Sequence, residues 1–168
     1  FSKFLEEQLT FESRQPLEGY ELGIALGGLE MDLLTLTHYF TLFPNGGILK
    51  PLRAASAGSP ALELPMAMNP AAPEKIFDPP FVSLTNTILS DRATGVDQFG
   101  IKSNLNLTQS NYGVKTGTSY DFHDSWTVGF TADFAVGVWL GNSDNTPIKQ
   151  ISGQQGAGTI WHDAMEIL

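Results

Sequence analysis

The stretch "GVKTGTSYDFHDSWTVGF", Gly113–Phe130, decides the reading of the fold. It opens as a strand and runs into two alternating segments. Trp126, Val128 and Phe130 alternate with Thr127, Gly129 and Thr131. Phe134, Val136, Val138 and Leu140 then alternate with Ala135, Gly137, Trp139 and Gly141. A period of two belongs to a pleated strand, whose side chains point to opposite faces in turn. The turn at Ala132-Asp133 joins the two runs as an antiparallel hairpin. With Gly113–Ser119 in front, the sequence predicts three consecutive antiparallel strands, a hairpin region over 112–142. The glycine-rich "SGQQGAG" follows and feeds a C-terminal helix over 159–168.

Upstream, the period changes to that of a helix. Asp78 is an N-cap and Pro79 stands at the first helical position, where its missing N–H costs nothing. Phe81, Leu84, Thr85, Ile88 and Leu89 line one face, and the pattern ends by Gly95, so a helical segment is predicted over 78–94. Residues 46–77, rich in Ala and Pro, read as loops with at most a short hairpin. Residues 1–45 read as helical. Phe1, Phe4, Leu5 and Leu9 recur at helical spacing, and Asp32 can cap a second helix. That helix carries an apolar stripe of Leu33, Leu36, Phe40 and Phe43, with Leu34 beside it, and stops at Pro44-Asn45-Gly46-Gly47.

The 168 residues suffice for one domain with a single core, and the chain reads as one. The hydrophobic fraction of 42% and charged fraction of 16% are those of a globular chain. A formal net charge of -9 argues against nucleic acid as a partner, because phosphate binding needs clustered Lys and Arg. With no cysteine there are no disulfides, thiolate metal sites or thiol nucleophile. No apolar run reaches the roughly 18 residues of a membrane span. The first residue is not Met, and the sequence predicts a piece of a longer polypeptide.

Lys115-Thr116-Gly117 is one of three signatures of active-serine acyl transferases. A lysine beside a serine nucleophile favours the alkoxide and attracts a substrate carboxylate. The Thr116 and Thr118 hydroxyls can hydrogen-bond that carboxylate, and Gly117 lets a substrate lie against the strand. A backbone N–H near Thr118 is suited to half of an oxyanion hole. The bland reading of the same residues is a polar strand end.

The other two signatures are missing as chemistry. No serine has a lysine three residues later. Ser143-Asp144-Asn145 matches Ser-x-Asn by letters, but Gly141–Asn145 has the composition of a turn. A phosphate loop is excluded, because Lys115 precedes its glycine and no helix follows. His38, His123 and His162 have no metal-ligand spacing, and no cofactor or metal is expected. His38 reads as lying on a mixed helix face, and His123-Asp124 as a local pair. Asn106-Leu107-Thr108 is a glycosylation sequon by letters only.

"VKTGTSYDFHDSWTVGFTADFAVGVWLGNSDNTPI" followed by "SGQQGAGTIWHDAM" resembles the end of the transpeptidase domain of class A penicillin-binding proteins. "LGIALGGLEMDLLTLTHYFTLFPNGG" resembles that family's Ala-Leu-Gly-Gly-x-Glu helix entry. "ILSDRA" and the Tyr120–Trp126 spacing look most like the 1C group. Four segments agree in order and cover nearly the whole chain.

The resemblance implies an α+β fold with an antiparallel sheet flanked by helices, shared with serine β-lactamases, of which this chain is the C-terminal portion. It implies a D,D-transpeptidase that cross-links the cell wall through a serine acyl-enzyme, with D-Ala-D-Ala stem peptides as substrate and β-lactams as inhibitors. By motif match Lys115 is catalytic, and Thr116, Gly117, Thr118 and Ser119 bind substrate. His123 stands where the 1C group often has Arg. The implied location is periplasmic, on a parent anchored in the bacterial inner membrane. In the family both serine motifs precede the Ala-Leu-Gly-Gly helix, so this chain is expected to lack the nucleophile and to be inactive alone. A non-catalytic module, binding peptides or proteins along the strand edge, is the alternative. Exposed strand edges further predict dimerisation or strand exchange.

Overall fold

A computed structural model describes residues 2–9, 11–54, 62–63, 70–149 and 151–168. They form two compact units, 1–82 and 83–168.

In the first unit, α1 (Ser2–Gln8) buries Leu5, and just past its end Leu9 and Phe11 are buried too. A 3₁₀ segment, Leu17–Leu26, is interrupted at Glu21 (φ 47°) and closed by Gly27 (φ 85°). The helical character expected over 1–45 is therefore divided into pieces. The next piece, α2 (Leu33–Phe40), starts where the sequence places its cap. Asp32 Oδ1 accepts from the Thr35 amide at 2.9 Å and Oδ2 from the Thr35 hydroxyl at 2.6 Å.

The buried face of α2 is not the expected one. Thr35, His38 and Tyr39 are buried, and Leu42 beyond the helix joins them, while Leu33, Leu36, Phe40 and Phe43 are half-buried and Leu34 is exposed. Polar bonds explain the rotation. His38 Nε2 lies 2.7 Å from the Lys50 carbonyl, and the Tyr39 hydroxyl donates to the Leu9 carbonyl at 3.4 Å. His38 Nε2 and the Tyr39 hydroxyl are thereby paired in the core, while the buried His38 Nδ1 has no partner among the described residues. Pro44–Gly47 ends the turn as expected, with Gly46 and Gly47 at φ 65° and 91°. A Cβ on Gly47 would stand 2.3 Å from the Phe77 carbonyl oxygen.

Four two-residue strands occupy the expected loop region. β1 (Ile48–Leu49) pairs antiparallel with β4 (Glu74–Lys75), and β2 (Arg53–Ala54) with β3 (Leu62–Glu63). Much of the Ala/Pro-rich segment, 55–61 and 64–69, lies outside the described residues.

α3 (Pro79–Ser90) crosses the division between the units and begins at the predicted proline. Its expected apolar face is only partly covered, with Thr85 and Leu89 half-buried. Val82 is buried, whereas Phe81, Leu84 and Ile88 are 66%, 62% and 64% exposed. The short α4 (Val96–Phe99) follows.

The second unit is built on one three-stranded antiparallel sheet: β5 (Gly113–Thr118), β6 (Asp124–Phe130) and β7 (Ala135–Gly141), in that order. The register pairs Thr116 with Thr127 and Thr127 with Val138. Residues opposite each other share a face. Val114, Thr116, Thr118, Ser125, Thr127, Gly129, Val136 and Val138 therefore lie on one side, and Lys115, Gly117, Trp126 and Val128 on the other.

The helix α5 (Ala157–Ile167) covers the first side with Trp161 and Met165, both essentially fully buried. The Trp161 ring needs Gly129 beneath it, since a Cβ there would stand 2.3 Å from Cζ2. On the second side, a Cβ on Gly113 would stand 2.6 Å from the Phe130 ring and 3.2 Å from Leu89 of α3. Trp126 and Trp139 pack at 6.4 Å between ring centroids.

Candidate functional site

The site is the edge strand β5. Both the alternation and a single hydrogen bond fix where its backbone points. The Ser119 amide donates to the Asp124 carbonyl at 3.0 Å, so Ser119 and Asp124 are a hydrogen-bonded pair. In an antiparallel ladder such pairs alternate with non-bonded ones. Lys115 and Gly117 therefore direct their N–H and C=O groups to β6, whereas those of Thr116 and Thr118 point away from it. Among the described residues no strand pairs with that outer edge.

Each expected site residue lies on this strand or directly after it. Lys115 is exposed, and its Nζ donates to the Thr116 carbonyl at 2.7 Å. That bond folds the ammonium over the open edge. Among the described residues it has no carboxylate partner. Thr116 and Gly117 are half-buried and Thr118 is exposed. The Thr118 hydroxyl oxygen accepts from the Gly153 amide at 2.9 Å, a bond that leaves its proton available. The Ser119 hydroxyl accepts from the Asp124 amide at 2.7 Å and so closes the β5–β6 connection.

That connection is strained. Asp121 and Phe122, neither a glycine, sit at φ 53° and 58°. The Phe122 carbonyl accepts from the Ile148 amide at 2.8 Å, which ties the connection to the segment after β7.

Other sequence motifs resolve simply. Asn145 (φ 59°) closes a turn by donating its amide to the Asn142 carbonyl at 2.9 Å, in keeping with the turn reading of Ser143–Asn145. His123 and Asp124 have other partners than each other. His123 Nδ1 lies 2.5 Å from the Asn145 carbonyl oxygen, and Asp124 Oδ1 accepts from Trp139 Nε1 at 2.8 Å. His38 is buried at 3% exposure, not on a mixed face. Asn106 Nδ2 donates to the Ile101 carbonyl at 3.0 Å. Among the described residues no group of three His, Cys, Asp or Glu could hold a metal, and no helix is long and apolar enough to cross a membrane.

What the sequence did not expose is the support behind β5. Ser125 and Thr127, the polar members of the β6 alternation, are fully buried. Ser125 Oγ donates to the Ser152 carbonyl at 3.0 Å and accepts from the Ala157 amide at 2.9 Å. Thr127 Oγ1 donates to the Gly153 carbonyl at 3.0 Å. The glycine-rich loop is thus clamped to the sheet by hydroxyls some thirty residues earlier in the chain. A glycine-rich loop after a strand is the only signal a sequence offers for that.

Several known proteins are similar to this chain. Penicillin-binding protein 4 of Bacillus subtilis (strain 168) is 28% identical over 149 residues, 88% of this chain and 23% of its own length. Penicillin-binding protein 1C of Escherichia coli (strain K12) is 28% identical over 147 residues, 88% of this chain and 17% of its own. Penicillin-binding protein 1A of Aquifex aeolicus (strain VF5) is 42% identical over 55 residues, 32% of this chain and 8% of its own. No protein-family model matches. The solved penicillin-binding protein PonA1 from Mycobacterium tuberculosis superposes with a TM-score of 0.65 at 21% identity, over 86% of this chain and 39% of that one. The chain thus spans less than a quarter of the length of these curated relatives. Over most of its length the chain is similar in sequence to penicillin-binding proteins, and its α+β fold matches that of the solved one.

Proposed function

We propose that this chain supplies the substrate-binding strand of a peptidoglycan D,D-transpeptidase whose serine nucleophile lies outside these 168 residues. The observation that carries the reading is the open edge of β5, with Lys115, Thr116 and Thr118 presented on it beside Gly117. An extended peptide lying along that edge would meet the outward N–H and C=O groups of Thr116 and Thr118. Its terminal carboxylate would meet the Lys115 ammonium and the threonine hydroxyls.

In this reading the serine oxygen attacks the carbonyl carbon of the penultimate D-Ala. The new oxyanion accepts from the Thr118 amide. The C–N bond then breaks and the terminal D-Ala leaves with the proton delivered to its nitrogen. The acyl group, held as a serine ester, passes to the amine of a second stem peptide, which gives up a proton as the amide forms. A β-lactam enters the same way, but its ring opens without a departing fragment and the ester persists. Lys115 supplies charge to the carboxylate and assists proton movement. The reaction belongs to the extracytoplasmic face of the membrane, where the substrate is.

A binding module without catalysis is the second reading, and the same open edge supports it. Two measurements separate them. Intact mass after excess penicillin should show no adduct on this chain alone; an adduct would mean that a serine within it is activated. In the full-length protein Lys115→Ala should slow penicillin acylation by roughly 100-fold or more, the scale of losing a preorganised electrostatic group. Normal labelling of that variant would remove Lys115 from the site.

A further inference from the structure

We propose that Gly153 is a positioning residue for this strand: its amide sets the Thr118 hydroxyl so that the hydroxyl proton is left for the anionic group of a ligand on the open edge. The inference rests on the reading that β5 binds such a ligand.

Gly153 lies flat on the sheet behind the site. A Cβ there would stand 2.5 Å from the Gly117 carbonyl oxygen, 2.8 Å from that of Trp126 and 3.1 Å from the Gly117 nitrogen. All three are backbone atoms of one ladder pair, so none can turn aside as a side chain would. Gly153 is also held from its other end. Its carbonyl accepts from Thr127 Oγ1 at 3.0 Å and from the Gly158 amide at 2.7 Å, and Thr127 is fully buried. The Gly153 N–H shares its peptide plane with the Ser152 carbonyl, which accepts from Ser125 Oγ at 3.0 Å and from the Gly156 amide at 2.9 Å, so with its Cα against the sheet the residue has little freedom to redirect its N–H. That N–H donates to Thr118 Oγ1 at 2.9 Å.

A threonine hydroxyl has one proton and two acceptor lone pairs. With one lone pair occupied by Gly153, the proton is directed elsewhere, and Thr118 is exposed to solvent. An exposed hydroxyl otherwise rotates among its wells, and a ligand must stop that rotation at an entropic cost. A hydroxyl already held meets a carboxylate as a preorganised donor. The simpler role for Gly153 is to let the loop approach the sheet. That role accounts for the missing Cβ but does not require coupling to the Thr118 hydroxyl, and coupling is what an experiment can read.

The test has two arms. In the full-length protein, acylation by a fluorescent penicillin is measured for Thr118→Ser, Thr118→Val, Gly153→Ala and the Thr118→Val/Gly153→Ala pair. Thr118→Ser should stay within about threefold of wild type, and Thr118→Val should fall by roughly 10- to 100-fold, the cost of a hydrogen bond to a charged group. Gly153→Ala should fall comparably, and the double variant should be no slower than about threefold below the worse single, because both changes remove one interaction. A Gly153→Ala effect of equal size with and without Thr118→Val would overturn the proposal.

The second arm needs no nucleophile and no change at Gly153. In this chain, exchange of the Gly153 amide proton should quicken roughly fivefold in Thr118→Val, the net value of one hydrogen bond, and remain unchanged in Thr118→Ser. An amide indifferent to both also overturns the proposal, and this arm decides if Gly153→Ala fails to fold. Absence of any labelling in the wild-type full-length protein would instead sink the transpeptidase reading, while the exchange arm still judges the Gly153–Thr118 coupling.

Discussion

At the scale of single residues, close approach decides more here than charge. Gly129 is the clearest case. It lies in β6, where glycine weakens a strand, yet the Trp161 ring occupies the space its side chain would fill. Gly129→Ala should destabilise the protein by about 1–3 kcal/mol through overpacking. Thermal unfolding checks this, and an unchanged midpoint would mean that Trp161 can leave its place at no cost. The proposed site, Lys115 to Thr118 on β5 with Ser119 directly after it, is legible as five consecutive letters because its groups lie in one short stretch. Gly153 is not, because its contacts with Gly117, Thr118, Trp126 and Thr127 reach far back in the chain. No spacing rule links residues 26–36 positions apart.

At the scale of elements, the sequence carried positions well and orientations poorly. The hairpin, the Asp32 cap and the start of α3 at Pro79 all appear where local signals put them. The face each helix buries does not follow. In α2 the apolar stripe was sound as a pattern, but His38 and Tyr39 found backbone carbonyls to bond and took the core. In α3 Phe81, Leu84 and Ile88 of the stripe are exposed, while Thr85 and Leu89 are half-buried. In β6 the hydroxyl side is the more buried one, because Ser125 and Thr127 satisfy a loop that covers them.

The cap of α2 gives an element-level prediction. Burial works against the charge of Asp32, but the Thr35 hydroxyl and amide outweigh it and lower the carboxyl pKa. A folded value below the unfolded one stabilises the native state above the unfolded pKa, near 3.9, and that contribution is lost as pH falls through the folded value. Asp32→Ala should cost about 1 kcal/mol at neutral pH. The difference between variant and wild type should begin to shrink below about pH 4, where the unfolded carboxyl becomes neutral, and continue to shrink as pH falls through the lowered folded value. Urea unfolding at pH 7 and pH 3 reads both values. A deficit of the same size at both pH values would mean that the cap acts through shape and not through charge.

At the scale of the whole molecule, two opposed properties set its behaviour in solution. The sheet ends at β5 on one side and β7 on the other, and neither has a further strand beside it among the described residues. β7, "AVGVWLG", carries no charge or proline to discourage pairing. Against this stands a formal net charge of -9, which makes copies repel. Screening should tip the balance, since the Debye length falls from about 10 Å at 0.1 M salt to about 3 Å at 1 M. We therefore predict that this chain associates through a sheet edge, and that association grows with salt. Sedimentation velocity at one protein concentration in 0.1 M and 1 M NaCl should show the dimer fraction rising. A Gly137→Pro variant should abolish the shift if β7 is the edge used, since Gly137 lies opposite Val128 in a non-bonded pair and its N–H points to the outer edge. A monomer at both salt concentrations would mean that no sheet edge is available for pairing. A dimer that survives Gly137→Pro would assign the association to β5, and the ligand edge proposed above would then be blocked whenever two copies meet.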